Sequence, residues 1–263
     1  MNREQLASLM APVLTGASAS AASQYAAHDY FVVDNLLPVD VARQIFDSFP
    51  SAERLMLRKS LRELKYVTSQ MDGCARLVEE AVFAFQDPRI VHLVESITGL
   101  RAVEPDPSLY ASGISVMGNG HYLMPHIDNS HDMKRERYRV LNLLYYVTPE
   151  WPEDVGGNFE LWPEGKPLTI HAKFNRLLVI ATNRTSWHSV SKIHHPGLRT
   201  CVSNYYFSPI SPEGTDYFHV TSFRGRPGQP LTNLALRADA WMRGMVRKVK
   251  SGGIFQTKHV YRR

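Results

Sequence analysis

The sequence predicts an α+β fold: a jelly-roll or sandwich β core, N-terminal supporting helices and a C-terminal helical extension. Three observations carry this. Between Ser108 and Pro209 the chain breaks into eight short β-rich runs separated by Gly, Pro and Asn, the texture of a closed antiparallel β architecture. The stretch before it is largely helical in periodicity, and Leu231–Val249 reads as one amphipathic helix. At 263 residues, 44% hydrophobic and 21% charged, the chain fits an ordinary globular protein and excludes collagen-like, coiled-coil and globally disordered classes.

Taken in order, Arg3–Met10 reads as a short helix, followed by an Ala/Ser-rich stretch, Gly16–Ala27. Leu9–Leu14, broken by Pro12, is too short and too poor in preceding positive charge for a signal peptide. No apolar run approaches the roughly 18–20 residues of a spanning helix, so no transmembrane segment is expected. Tyr30–Asp34 is a β-rich run. Val39–Phe49 has apolar residues at helical spacing, opened by Pro38 and Asp40 and closed by Pro50. Cys74–Phe85 and Arg89–Thr98, the latter ending at Gly99, read as two further helices. The eight strands are expected near Ser112–Met117, His121–Ile127, Arg139–Val147, Asn158–Trp162, Leu168–Ala172, Arg176–Ala181, Ser186–Ser189 and Leu198–Phe207. In the last helix Leu234, Leu236, Trp241 and Met245 are the expected buried positions. The expected organisation is an N-terminal segment (1–27), one domain (28–210, β core from about 108) and a basic extension (211–263).

Two cysteines, Cys74 and Cys201, exclude a disulfide framework and a Cys-rich zinc module. A reducing, cytoplasmic compartment is the expectation. Net charge is +5, but residues 221–263 hold ten Lys/Arg against Asp239, leaving residues 1–220 mildly acidic. Such a tail can meet phosphate, anionic lipid or an acidic partner; the plainer reading is a solvated helix face plus a ragged terminus.

The residues with the sharpest chemistry are His126-Ile127-Asp128. In a strand, residues i and i+2 share a face, so one imidazole and one carboxylate can enter one ligand sphere. Roughly sixty residues on, His188 lies in a strand-like run. Two histidines and one carboxylate form the facial triad that holds Fe(II) and leaves the opposite positions open. Eleven residues later comes Arg199, inside a β-rich run. A buried guanidinium there needs a carboxylate partner, and its planar fork suits a dicarboxylic co-substrate.

Further motifs accompany these: Gly118-Asn119-Gly120; Arg139–Val147 (RVLNLLYYV); Gly156-Gly157-Asn158-Phe159-Glu160-Leu161; Trp162-Pro163-Glu164-Gly165; Lys173-Phe174-Asn175-Arg176-Leu177-Leu178; and, upstream, Phe31-Val32-Val33-Asp34-Asn35-Leu36-Leu37. With His188 and Arg199 at the matching spacing, the chain resembles the Fe(II)/2-oxoglutarate-dependent dioxygenases, in particular their prolyl hydroxylase-like branch. The likeness covers about Ser112 to Pro209. It implies a double-stranded β-helix core with His126, Asp128 and His188 as catalytic iron ligands. It implies that Arg199 and Tyr146 meet the distal carboxylate of 2-oxoglutarate, and that Asn142 lines the co-substrate pocket. It implies that Tyr205 lies near the substrate entrance and that Val116 and Leu123 stand where pocket-lining tyrosines occur in hypoxia-sensing relatives. It also implies O₂ as co-substrate, with ascorbate a candidate stimulant. The implied reaction is hydroxylation of an unactivated C–H bond, with 2-oxoglutarate going to succinate and CO₂. Asp128 fills the position that halogenating relatives leave to chloride. The substrate is either a peptidyl, prolyl-like side chain or a small polar molecule.

Lys134–Arg139 (KRERYR) reads as a substrate-binding loop, with Arg139 its candidate contact, or as a solvated charged turn. Trp151, Trp162 and Trp187 read as packing residues, Cys201 as a small buried hydrophobe, and His194-His195-Pro196 as a polar turn. His121 and His131 flank the metal strand without an assigned role, and the other histidines, His219 among them, read as surface or hydrogen-bonded. The alternative class is a non-catalytic jelly-roll binding module whose basic tail contacts nucleic acid or another anionic surface.

Overall fold

The structure is a computed structural model that describes residues 1–249 and 260–261. It opens with one long helix, α1 (Arg3–His28), followed by strand β1 (Tyr30–Asp34) and helix α2 (Val39–Asp47). A hairpin, β2 (Met56–Lys59) and β3 (Glu63–Thr68), precedes helices α3 (Arg76–Ala84) and α4 (Pro88–Thr98). Strands β4 (Glu104–Pro105), β5 (Gly113–Met117), β6 (Tyr122–Ile127), β7 (Tyr138–Tyr146), β8 (Phe159–Leu161), β9 (Leu168–Ile170), β10 (Arg176–Ala181), β11 (His188–Val190) and β12 (Arg199–Ser208) form the core. Strand β13 (Ser222–Phe223) and helix α5 (Pro230–Val249) close the described chain.

All strands belong to one curled antiparallel sheet in the order β1-β10-β7-β12-β5-β3-β6-β11-β8-β9, with β2 on β3, β4 on β12 and β13 on β6. This is a jelly-roll core. The eight strands read from the sequence are all present, and α2, α3 and α4 fall within two residues of expectation at each end.

Strand alternation separates two cores. Even-numbered residues of β12, Val202 and Tyr206, face the helices, in one cluster with Leu6 and Leu14 of α1, Ile45 of α2, Val82 of α3 and Ile90 of α4. The opposite faces of the curl enclose a second cluster that includes Met117, Tyr146, Phe159, Leu178, Val190 and Cys201. Asn175, buried at the start of β10, explains one motif. Its side-chain oxygen accepts from Leu37 N (3.0 Å) and the Tyr145 hydroxyl (2.7 Å), and its amide donates to Leu37 O (2.6 Å).

Several sequence expectations are corrected. The short helix Arg3–Met10 is the first part of a 26-residue helix that runs through Pro12 and the Ala/Ser-rich stretch. Hydroxyls there bond back to helix carbonyls, as Ser8 to Glu4 O, Thr15 to Ala11 O and Ser23 to Ala19 O, so these residues do not compete for non-helical backbone. An Asn2/Gln5 capping box starts the helix. By length and composition α1 is long and apolar enough to span a membrane, a length that the short apolar run Leu9–Leu14 did not announce, but its Leu6, Met10, Leu14 and Ala21 are buried against the domain. The hairpin β2–β3, in the expected helical third, was not read, because Arg58, Lys59, Glu63 and Lys65 break its apolar alternation. In α5, Leu236 is buried as expected, but Leu234, Trp241 and Met245 are exposed, because the helix lies on the body by its other side.

Candidate active site

Strands β6 and β11 pair with His126 opposite His188, while Asp128 follows at the end of β6. The ligand atoms of His126, Asp128 and His188 lie within 4.8 Å of one another, and all three residues are buried. Asp128 Oδ1 is 3.7 Å from His126 Nε2, and Oδ2 is 3.7 Å from His188 Nε2. Each imidazole is oriented from behind. His126 Nδ1 donates to Met124 O (3.0 Å) and His188 Nδ1 to Ser186 O (2.8 Å). A carbonyl only accepts, so both Nδ1 atoms carry the proton and both Nε2 lone pairs face the cluster, as metal ligation requires. Burial, with His188 alongside, pushes His126 down to about 3, so it is neutral at pH 7. Burial works against the Asp128 carboxylate, but His188, Arg139 and His126 hold it down to about 2. Phe223 stacks on His126 (4.9 Å between centroids) and Phe159 on His188 (5.3 Å).

Facing this cluster, β7 and β12 pair Tyr146 with Cys201, Asn142 with Tyr205 and, past a bulge, Arg139 with Phe207. Paired residues share a face, so Arg199, Tyr146, Asn142, Tyr205 and Arg139 all turn inward. Arg199 is buried, its carbon over the Tyr146 ring at 5.2 Å and one amine 3.0 Å from Met117 Sδ. Its Nε and Nη1 have no partner. Gly157 allows this: at φ +76°, a Cβ there would lie 3.1 Å from Arg199 Cδ, while a Cβ on Gly156 would collide with Lys192 O at 2.0 Å. Arg139 is a second buried guanidinium, 3.8 Å above the Tyr205 ring and 3.7 Å from Asp128 Oδ1, with Nε and Nη2 unpartnered. Tyr205 faces the Asp128 carboxylate, and its hydroxyl is raised by burial and by that charge.

The residues present fit a cation and a dianion. Asp128 Oδ2 is a buried acceptor with no partner, four N–H donors of Arg199 and Arg139 lack partners, and Asn142 Oδ1 does too. Leaving such groups unmet is costly, so the cavity is built for polar occupants.

Val116 is not among the inward residues. It pairs with Thr200 and Tyr66 on the helix-facing side of β5 and belongs to the outer core; its neighbour Met117 points inward. Arg139 lies at the start of β7 rather than on a solvated turn. Two contacts escaped sequence reasoning: His219 Nε2 donates to the backbone O of Asp128 (2.8 Å), and Phe223 covers His126. Both come from the extension through β13, which pairs Phe223 with His126. Trp162 and Trp187 flank a groove of about 440 Å³ on the outer side of β11, each under an arginine, Arg226 and Arg224.

Residues 112–207 match the family model of the 2OG-Fe(II) oxygenase superfamily. The chain carries a 2OG-Fe(II) oxygenase domain. Over these residues it is an Fe(II)/2-oxoglutarate-dependent dioxygenase domain, with Fe(II) and 2-oxoglutarate as cofactor and co-substrate. No curated protein sequence matches it. Among solved structures it is similar in fold to a prolyl-4-hydroxylase from Pseudomonas putida (15% identity, 73% of this chain and 98% of that one, TM-score 0.55). It is similar to a prolyl hydroxylase from Trichoplax adhaerens in complex with a hypoxia inducible factor oxygen degradation domain peptide fragment (20%, 74% and 90%, TM-score 0.53). It is also similar to HygX from Streptomyces hygroscopicus with nickel, 2-oxoglutarate and hygromycin B bound (11%, 76% and 95%, TM-score 0.51).

Proposed function

We propose that this oxygenase hydroxylates an unactivated C–H bond of a substrate bearing a hydrogen-bond acceptor next to the reacting carbon. The observation that carries this is the pair of buried, unsatisfied guanidiniums on opposite sides of Tyr146, Asn142 and Tyr205. In this reading His126, Asp128 and His188 hold the iron, which with 2-oxoglutarate supplies O₂ activation coupled to decarboxylation to succinate and CO₂. The chain does the rest. Arg199 Nε and Nη1 receive the distal carboxylate of 2-oxoglutarate as a two-point fork, with Tyr146 packed beneath. Asn142 offers its side-chain amide to the same cavity. Arg139, held flat on Tyr205, steadies the Asp128 carboxylate with one edge and presents its free N–H groups to the substrate acceptor. Phe159 and Phe223 exclude water from the histidine pair.

A peptidyl, prolyl-like substrate is the first reading. Its backbone carbonyl is the acceptor Arg139 requires, and a structure of similar fold holds such a peptide. A small polar molecule is the second, because a similar fold also holds hygromycin B. The test is succinate formation by iron-loaded protein with 2-oxoglutarate and O₂, across a proline-containing peptide library and a panel of amino acids and sugars. A peptide that stimulates succinate formation and gains 16 mass units supports the first reading. Stimulation by panel molecules alone supports the second. No 2-oxoglutarate turnover, or full turnover in Asp128→Ala, sinks the hydroxylase reading.

A further inference from the structure

Helix α5 is mounted with its apolar side outward. Leu236 packs on Met124 and Phe223, Asp239 forms an ion pair with Arg62 (3.7 Å), and the Asn233 side chain accepts from Gly225 N (3.2 Å). These contacts hold one side of the helix to the body. On the other side Leu231 is 82% exposed, Leu234 68%, Trp241 67%, Met242 56% and Met245 51%, with Ala235 and Ala238 exposed between them. At about 100° per residue these seven positions fall within one arc of roughly 120°. An uncovered arc of this size with a tryptophan in it marks an interaction surface.

We propose that this face of α5 docks on an anionic lipid surface. Three observations choose that occupant. The same helix and the residues after it are cationic: Arg237, Arg243, Arg247, Lys248 and Lys250 stand against Asp239 alone, and Asp239 is already paired. The arc is wider than a coiled-coil seam, and a second copy would bring the same positive charge against it. Because the opposite side of α5 is fixed to the domain, a partner that must wrap the helix is shut out, whereas a plane reaches the outward face directly. Apolar residues inserted at the headgroup boundary with flanking Lys/Arg on anionic lipid is the binding mode of interfacial helices.

The experiment is co-sedimentation of the full chain with phosphatidylcholine vesicles, with and without about 30% phosphatidylserine, at low and high salt. The expected result is binding to the anionic vesicles, weakened at least about tenfold on pure phosphatidylcholine and by salt. The double variant Leu234→Asp/Trp241→Asp loses it, while circular dichroism and 2-oxoglutarate turnover in solution are kept. Brominated lipid should quench tryptophan fluorescence in the native chain and much less in Trp241→Phe. Failure to bind anionic vesicles overturns the proposal. So does binding unchanged by the double variant, which would assign it to tail charge alone. A dimer seen by light scattering and dissociated by the same variant would show that a second copy covers the face.

Discussion

Arg199 and Arg139 are the residues in which the chain's own structure is incomplete. Each brings a full charge into the curl and leaves two N–H donors unmet. Charge-assisted bonds contribute about 1.5–3 kcal/mol each, so losing the Arg199 fork should cost at least one decade in 2-oxoglutarate KM. Arg199→Ala is expected to raise that KM more than tenfold, and Arg199→Lys less, because a point charge cannot make the planar two-point contact. Steady-state succinate kinetics check both. The His126-Ile127-Asp128 cluster was legible because strand parity places i and i+2 together whatever the rest of the chain does. Arg199 was legible from its burial cost. Val116 shows the limit: resemblance gave the position, but only pairing with Thr200 and Tyr66 shows which face of β5 it occupies. His219 could not be read at all, since its contact with Asp128 spans ninety-one residues and no local pattern announces it.

At the scale of elements, β1 is fastened to β10 by Asp34 and Arg176, which meet at 2.6 and 2.9 Å, with Lys173 at 2.9 Å. The Arg176 hydrogen bond, then Lys173, hold the Asp34 carboxyl below its ordinary value against partial burial. A depressed carboxylate contributes stability above its unfolded pKa and loses it as pH falls through the folded one. Asp34→Asn should therefore lower stability by about 1 kcal/mol at pH 7, allowing for solvent screening, and the difference should vanish as pH falls from about 4 toward its folded value. Denaturant titrations of both proteins across that range measure it. Helix α1 makes a separate claim. Leu14 is fully buried between α1 and the helices beneath it, so Leu14→Ala should cost about 2–5 kcal/mol in urea unfolding. A loss near zero would mean that α1 is not docked. Strands β7, β10 and β12 were plain in sequence because both faces are buried and β-branched, aromatic and other apolar residues dominate each run. Hairpin β2–β3 was hidden because Arg58, Glu63 and Lys65, half-buried and paired with one another, stand where an apolar alternation would mark a strand, and the two-residue β13 offers no period to detect.

For the whole molecule, the design is a curl with its chemistry inside, helices behind the larger wall and the extension closing the other. Removing residues 211–263 would strip Phe223 from His126 and His219 from the Asp128 backbone. A chain ending at 210 should melt lower and bind Fe(II) more weakly at equal pH, seen by calorimetry and metal titration. Unchanged iron affinity would confine the extension to a peripheral role. The central claim is that this cluster is a 2-oxoglutarate-dependent iron site, and anaerobic visible absorption tests it most directly. Fe(II)-loaded protein should develop a weak charge-transfer band when 2-oxoglutarate is added last, absent in Asp128→Ala and weakened in Arg199→Ala. Folded, iron-loaded protein that shows no such band, or an undiminished band in Asp128→Ala, would contradict the account.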